Sequence, residues 1–215
     1  IYMLNYYKNF VLFYTLNSLI CFIFDVLSYK VNKIRKFKID TIPFSEKILT
    51  YKKVMPNVLF NVFISSLPVT IFFDKYYERY SEGNENYIYT KLILFKYLSQ
   101  IIFYFCHRAL HTKLLYKYHK KHHEITIPIG VSAIYSSVIE FYVGNTIPVI
   151  LSVVLLDIPS KYFDLIMVLV ISNATIFSHS NIIVSHHHDI HHKLFRYNYG
   201  SKWCDKLFGT LKNQN

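Results

Sequence analysis

HRALHTKLLYKYHKKHHE, residues 107–124, is the stretch that decides how this chain is interpreted. It holds five of the protein's 11 histidines, and the other six fall between His179 and His192. The first 106 residues contain no histidine. Histidine is the side chain that most commonly binds transition metals in proteins. The uneven distribution therefore points to a metal site in the second half of the chain.

The spacing of the histidines strengthens that interpretation. Residues three and four apart are neighbours on a helix, with Cβ atoms about 5–6 Å apart, and one metal ion can bridge them. Three sets have this spacing: His107 and His111; His119, His122 and His123; and His188, His191 and His192. Any one set could be a solvated polar helix face, but that alternative does not explain three sets in one half of the chain. The sequence therefore predicts one metal centre shared by all three sets.

The number and type of these side chains indicate a dinuclear centre. About nine imidazoles supply four or five ligands to each of two ions, which is more than one tetrahedral zinc ion uses. Imidazole binds iron, zinc, copper and nickel alike, so the ligand type does not name the metal. The three cysteines, Cys21, Cys106 and Cys204, are far apart in the sequence and predict neither a disulfide framework nor a thiolate site.

The composition predicts a polytopic membrane protein. Of the 215 residues, 53% are apolar, with 20 tyrosines and 18 phenylalanines. Several uncharged runs approach the roughly 20 residues that cross a bilayer. We expect membrane helices at residues 10–24, 54–73 and 92–106, and a hairpin at 141–156 and 165–178 that either crosses the membrane or re-enters it.

Local patterns give three further expectations. Prolines and asparagines within residues 54–73 predict a bent or protein-facing helix. Strong helix formers predict that the helix holding His107 continues through residue 124, until Pro128 and Gly130 end it. Residues 131–139 have the pattern of an amphipathic or interfacial segment.

The net charge of +11 would suggest nucleic-acid binding in a soluble domain. In a membrane chain it instead indicates basic cytoplasmic loops, and we expect no nucleic-acid partner. Residues 30–53 hold eight lysines and arginines, residues 108–121 hold five, and residues 193–212 hold five. We therefore place these three regions, and both histidine regions, on the cytoplasmic side.

Five short motifs resemble the membrane-bound sterol desaturase and fatty acid hydroxylase superfamily, most closely its C4-sterol methyl oxidase and C5-sterol desaturase branches. They are FYFCHRALH (103–111), HKKHHEITIPIG (119–130), HHDIHH (187–192), NYG (198–200) and DKLFGT (205–210). The similarity covers about residues 100–210.

This resemblance implies an all-α fold: a polytopic membrane helical bundle with a cytoplasmic histidine-rich helical layer that holds a dinuclear metal site. It implies N-terminal membrane helices in residues 1–90 and a catalytic domain in residues 91–215. The implied ligands are His107, His111, His119, His122, His123, His179, His188, His191 and His192. Glu124, Asp189 and His187 would orient ligand imidazoles, with a surface salt bridge as the alternative for the two acids. His186 would face solvent or support the site, and Asn198, Tyr199, Asp205 and Thr210 would tie the C-terminal segment to it.

The resemblance also implies the activity. It predicts O2-dependent hydroxylation or desaturation of a membrane lipid, with two ferrous ions that zinc can replace during purification. Electrons would come from a cytochrome b5-type donor and its reductase, and the enzyme would lie in the endoplasmic reticulum membrane. The segment HEITIPIG and Glu140 favour a sterol, whereas a fatty acid or sphingolipid hydroxylase is the alternative. A metal-binding or metal-transporting membrane protein is the alternative from another class.

Overall fold

The computed structural model describes residues 3–38, 42–80, 85–182 and 186–213. Within these ranges the chain is helical and forms no strand beyond a single antiparallel bridge between Lys38 and Ile182. The predicted all-α fold is confirmed.

The α-helices in chain order are α1 (Met3–Lys30), α2 (Asn32–Arg35), α3 (Phe44–Phe60), α4 (Leu67–Tyr80), α5 (Ile88–Leu110), α6 (Tyr116–His119), α7 (Val138–Glu140), α8 (Ile147–Leu155), α9 (Phe163–Ser172), α10 (His186–Leu194) and α11 (Lys202–Leu207). Segments of π-helix cover Asn61–Ser65, Phe141–Thr146 and Asn173–Ser178, and 3₁₀ turns cover His122–Glu124, Gly130–Ile134 and Ser160–Tyr162.

Four helical segments among the described residues are long and apolar enough to cross a membrane: Asn5–Lys30, Phe44–Tyr76, Val138–Leu155 and Ser160–Ser178. They match the expected first two spans and both arms of the expected hairpin. Helix α5, expected as another span, is not among them, and its Lys91 and Lys96 reduce its apolar character.

The N-terminal helices share a core with the later segments. Tyr14 of α1 and Val58 of α3 are buried together with Ile129 and Ile171. Helix α1 comes so close that a Cβ atom on Gly130 would lie 2.3 Å from the Cys21 sulfur, so only glycine fits there. One core therefore crosses the predicted domain boundary near residue 90, and that boundary stays a prediction.

Residues 107–124 do not form the single helix that their composition predicted. Helix α5 ends at Leu110, and the chain turns before the short helix α6 and the 3₁₀ turn that follows it. The Thr112 hydroxyl and backbone N–H both bind the carbonyl of Ala109, at 2.7 and 3.0 Å. Threonine side chains compete in this way with helical hydrogen bonding, and this contact is one reason for the break.

The prediction of an interfacial segment at residues 131–139 was also wrong for its first part, because residues 130–136 are buried. The Asn61 amide donates to the carbonyls of Ile134 and Ser136, at 2.8 and 3.2 Å. The Asn57 side chain accepts from the Ser136 N–H at 3.0 Å. Both asparagines lie on the Phe44–Tyr76 segment, and their contacts match the protein-facing helix that its sequence predicted. A π-helix over Asn61–Ser65 interrupts this segment.

A buried charge cluster joins α1 and α3 to the histidine region. Asp25 pairs with Lys38 and Lys47, at N–O distances of 2.6 and 3.0 Å, and accepts a hydrogen bond from Tyr51 at 2.8 Å. Lys38 also donates to the Ser180 carbonyl at 2.5 Å. The cluster therefore fixes the N-terminal helices beside the residue that follows His179.

Candidate metal centre

Nine buried or half-buried histidines meet in two adjacent groups. The first group is His107, His111, His119, His123 and His191, and the second is His122, His179, His188 and His192. Within each group one nitrogen of every imidazole lies within 4.8 Å of the others. All nine residues predicted as ligands are thus brought together, although their metal binding stays a prediction.

Several short elements carry these side chains to one place. His107 lies in the last turn of α5, and His111 follows its end. His119 ends α6, and His122 and His123 form the adjoining 3₁₀ turn. His179 directly follows the π-segment Asn173–Ser178, whereas His188, His191 and His192 lie on α10. Every one of the nine lies outside the four apolar segments.

Oxygen atoms hold six of the imidazoles by their Nδ1 atoms. Backbone carbonyls do this for five histidines, at Nδ1–O distances of 2.6 to 3.3 Å, and a Glu140 carboxylate oxygen does it for His119 at 2.7 Å. The five carbonyls belong to Tyr199 for His107, Tyr135 for His122, Ala174 for His179, Tyr197 for His191 and Ile125 for His192. Because a carbonyl only accepts, the proton of a neutral imidazole is on Nδ1, and Nε2 keeps its lone pair.

The lone pairs face each other across short distances. The Nε2 atoms of His107 and His119 are 3.0 Å apart, and those of His122 and His179 are 3.2 Å apart. Because carbonyls hold the Nδ1 protons of His122 and His179, the contact between their Nε2 atoms is not a hydrogen bond. An ionised Glu140 would exclude a hydrogen bond between His107 and His119 in the same way. Imidazole nitrogens bind zinc at about 2.0–2.1 Å, so two ligands at right angles lie about 3 Å apart. A cation in each group would satisfy this geometry.

A buried nitrogen supports the same fit. Nε2 of His192 is buried and has no hydrogen-bond partner among the described residues. A buried polar atom without a partner is costly, and a bound metal ion would remove that cost. The donor set is entirely nitrogen, which suits iron, zinc, copper and nickel.

Burial keeps the imidazoles neutral and ready to bind a metal. It lowers the pKa of His107 and of His179 to about 4, although hydrogen bonds to backbone carbonyls oppose the shift. Burial, followed by repulsion from His107, lowers the pKa of His111 to about 3. Metals bind only the neutral imidazole, so protons do not compete for these nitrogens at neutral pH.

The acids expected to orient the imidazoles lie in different surroundings. Glu124 is half exposed, pairs with Lys53 at 3.2 Å and accepts from the Tyr135 hydroxyl at 3.0 Å, which matches the salt-bridge alternative. Asp189 is buried on α10. Glu140, to which the sequence assigned no role at the site, is the carboxylate that binds His119. The side chain of His186 lies outside the described residues.

His187 belongs to a network centred on Asp205. Its Nε2 lies 2.9 Å from Asp205, whose carboxylate also accepts from the backbone N–H groups of Tyr199 and Gly200 and from the Thr210 hydroxyl. The Tyr199 carbonyl in turn accepts from His107. The C-terminal segment is thereby joined to the centre, as its motif predicted.

A cavity of about 260 Å³ leads to the centre from outside the bundle. It is lined by His111, Tyr116, Phe195, Arg196 and Tyr199. Of the nine clustered histidines, His111 is the one that is only partly buried. The centre is therefore reached from this side without passing the apolar segments.

The comparisons with known proteins agree with this site. The chain matches the family model "Fatty acid hydroxylase" over residues 92–210, which contain all nine histidines. No solved structure matches the chain.

Three relatives illustrate the similarity. Fatty acid hydroxylase domain-containing protein 2 of Homo sapiens is 28% identical over 85% of this chain and 56% of its own length. Methylsterol monooxygenase 1 of Danio rerio is 30% identical over 93% of this chain and 74% of its own length. Fatty acid hydroxylase ahd1 of Mycosarcoma maydis is 28% identical over 75% of this chain and 46% of its own length. The chain thus spans little more than half of the human relative. With four apolar segments and a family match over more than half of its length, this integral membrane protein belongs to the fatty acid hydroxylase family.

Proposed function

We propose that the chain oxidises a membrane lipid with O2, at a centre of two iron ions held by the nine clustered histidines. The observation that carries the proposal is the division of these imidazoles into groups of five and four, with lone pairs facing inward beside apolar helices. When bound, the two irons supply the redox chemistry with O2 that removes hydrogen from an unactivated C–H bond. Hydroxylation and desaturation both begin with that removal.

The protein's residues bind, orient and shield the centre. Carbonyls and Glu140 fix the rotation of six imidazoles, which keeps their Nε2 atoms directed at the ions. Such supporting contacts set the affinity of a metal site as well as its geometry. Burial of eight of the nine histidines excludes water, which limits side reactions during oxidation.

The substrate is proposed to be a sterol or a fatty acyl lipid. Both classes appear in the names of relatives, methylsterol monooxygenase and fatty acid hydroxylase. A lipid of either class partitions into the bilayer and reaches the site without crossing water. The sequence motifs favour the sterol, and that preference stays part of the proposal.

The electron donor is proposed to be a cytochrome b5-type protein that docks at the open cavity beside His111. Arg196 lines this cavity, and the exposed Lys117 directly follows Tyr116, another of its lining residues. A basic surface of this kind steers an acidic partner. This assignment places the cavity on the cytoplasmic side of the endoplasmic reticulum membrane.

Metal content and lipid products test the proposal together. Protein purified in detergent and reconstituted anaerobically with iron should hold about two iron ions per chain, one for each histidine group. Expression in yeast that lacks its sterol methyl oxidase, sterol desaturase or fatty acid hydroxylase should restore the missing product in one strain. Absence of iron binding, or iron binding without any new lipid product in those strains, would contradict the proposal.

Two ligand variants test the proposed site. His111→Ala and His191→Ala each remove one nitrogen from the first group, where their Nε2 atoms lie 3.1 Å apart. Each variant should lose most of the iron in that group and all turnover, whereas the exposed Lys113→Ala should retain both. Iron analysis and product formation measure the outcome, and equal small losses in all three variants would refute the ligand assignment.

A further inference from the structure

We propose that the cavity between α1, α4, α8 and α9 binds the hydrocarbon chain of a lipid. The cavity has a volume of about 130 Å³ and lies among the apolar helices. The inference rests on the proposed function in one respect, because it assigns the bound chain to the substrate oxidised at the histidine centre.

One end of the cavity lies directly against residues that hold the metal centre. Ala174 lines the cavity, and its carbonyl accepts a hydrogen bond from Nδ1 of His179 at 2.7 Å. Ile134 and Phe141 also line it. Ile134 precedes Tyr135, whose carbonyl lies 3.3 Å from Nδ1 of His122, and Phe141 follows Glu140, which binds His119. The cavity therefore approaches the second histidine group from the membrane side.

The cavity is long and narrow. Its lining on the Ser160–Ser178 segment extends from Phe163 at the far end to Ala174 beside His179. At about 1.5 Å of helical rise per residue, that distance is about 16 Å. A volume of about 130 Å³ distributed over this length leaves room for one extended chain.

The chemistry of the wall selects an apolar occupant. Most lining residues are aliphatic or aromatic, and the hydroxyl groups on the wall already donate to backbone carbonyls. These bonds are Ser66 to Val62, Thr70 to Ser66, Thr146 to Phe141, Tyr14 to Val131 and Tyr6 to Ser160. Asn145 is the remaining polar side chain on the wall. A polar head group would find few partners here, whereas a hydrocarbon chain needs none.

The size of the cavity limits the occupant further. An apolar protein cavity of about 150 Å³ stays dry and accommodates benzene, a single six-membered ring. A cavity of about 130 Å³ is therefore too small for the four fused rings of a sterol. A fatty acyl chain and the side chain of a sterol share the chemistry that fits, and these are the two sources that an experiment should separate.

Photo-crosslinking tests this binding site without requiring turnover. Protein purified in detergent would be illuminated, without an electron donor, with a fatty acid that carries a diazirine near its methyl end, or with a sterol that carries a diazirine in its side chain. Mass spectrometry should locate the cross-links on the cavity wall, for example at Val149, Val170 or Ala174. If the fatty acid labels the cavity wall, the occupant of the cavity is an acyl chain. If the sterol labels the wall, the occupant is a sterol side chain.

Matched variants show whether the cavity itself is required. Val170 lines the cavity, whereas its neighbour Leu169 is 56% exposed on the outer side of the helix. Val170→Phe should lower wall labelling about tenfold, which corresponds to about 1.4 kcal/mol, and Leu169→Phe should leave it unchanged. If Val170→Phe does not fold, Val149→Phe on α8 fills the cavity from another wall.

Two results would overturn the inference: cross-links confined to lipid-facing residues, or equal wall labelling in the cavity and outer-surface variants. The experiment distinguishes a failure of this inference from a failure of the proposed function. Protein that binds the probe in the cavity but oxidises no lipid would refute the proposed function alone. An active enzyme labelled only outside the cavity would refute this inference alone.

Discussion

At the scale of single residues, Glu140 is a carboxylate that binds one of the clustered imidazoles directly. Its carboxylate is buried and accepts from Nδ1 of His119 at 2.7 Å, and the same oxygen lies 3.9 Å from Nδ1 of His122. His119 and His122 belong to different histidine groups. One carboxylate therefore binds an imidazole of the first group and lies beside an imidazole of the second.

Removal of Glu140 should weaken metal binding. Glu140→Ala leaves Nδ1 of His119 without its acceptor, and loss of such a supporting contact lowers metal affinity by about 10- to 100-fold. Glu140→Gln retains an acceptor oxygen and should have a smaller effect. Glu124→Ala is the matched control, because the half-exposed Glu124 binds Lys53 and Tyr135.

Competition with a metal-binding dye would give the affinities of these variants. If Glu124→Ala lost as much affinity as Glu140→Ala, the contacts seen at His119 would not be the cause.

The different positions of Glu124 and Glu140 show what the sequence could reveal about the site. The i, i+3 and i+4 spacings identified histidines that the fold brings together, because short helical turns keep such neighbours close. The family motif predicts that Glu124 orients an imidazole, but its half-exposed side chain pairs with Lys53 instead. The contact between Glu140 and His119 joins residues 21 apart and depends on tertiary packing that no local spacing encodes.

At the scale of elements, the histidine centre depends on breaks in helices. A continuous helix through residues 107–124 would be about 27 Å long, so His107 and His123 would lie too far apart to share an ion. The turn after Leu110 folds the second motif back, and the Nε2 atoms of His107 and His119 come within 3.0 Å. The residue types in this stretch favour a continuous helix. Tertiary packing overrides that preference, and helix propensity does not describe such packing.

The segment Gly130–Ile134 is held by Asn61, and this contact gives a prediction about stability. Asn61→Leu has a similar size but leaves the buried carbonyls of Ile134 and Ser136 without the amide donor. Loss of one partner from a buried hydrogen bond costs about 1–3 kcal/mol, so the free energy of unfolding should fall by at least that amount. Because Tyr135 lies between these carbonyls and holds His122, iron content should fall as well.

Denaturation in detergent micelles would measure the change for Asn61→Leu. Phe63→Leu is a suitable control, since Phe63 is 43% exposed in the same π-segment and makes no contribution to the buried hydrogen bonds of Asn61. A destabilisation no larger than that of the control would contradict the role given to Asn61.

At the scale of the whole molecule, ion pairs and hydrogen bonds define two opposite ends. At one end, Lys38 binds Asp25 and the Ser180 carbonyl, which fixes the basic connector beside the histidines. At the other end, Lys161 pairs with Glu85, and Lys91 donates to the Asp157 carbonyl at 2.8 Å. The turn between α8 and α9 thus lies beside the start of α5, at the far end of the bundle from the histidine centre.

This arrangement predicts how the chain is oriented in a membrane. Single cysteines at Lys36 and Lys193 lie at the histidine end and should react with a membrane-impermeant maleimide from the same side, the cytoplasmic one under the positive-inside rule. A cysteine at Tyr87, which is 82% exposed near the opposite end, should react from the other side. Sealed microsomes labelled before and after permeabilisation would distinguish the sides, with the native Cys21, Cys106 and Cys204 replaced by serine. Labelling of all three sites from one side would mean that the apolar segments re-enter the bilayer rather than cross it. Labelling of Tyr87 from the cytoplasm and of the other two from the lumen would reverse the orientation that the basic residues predict.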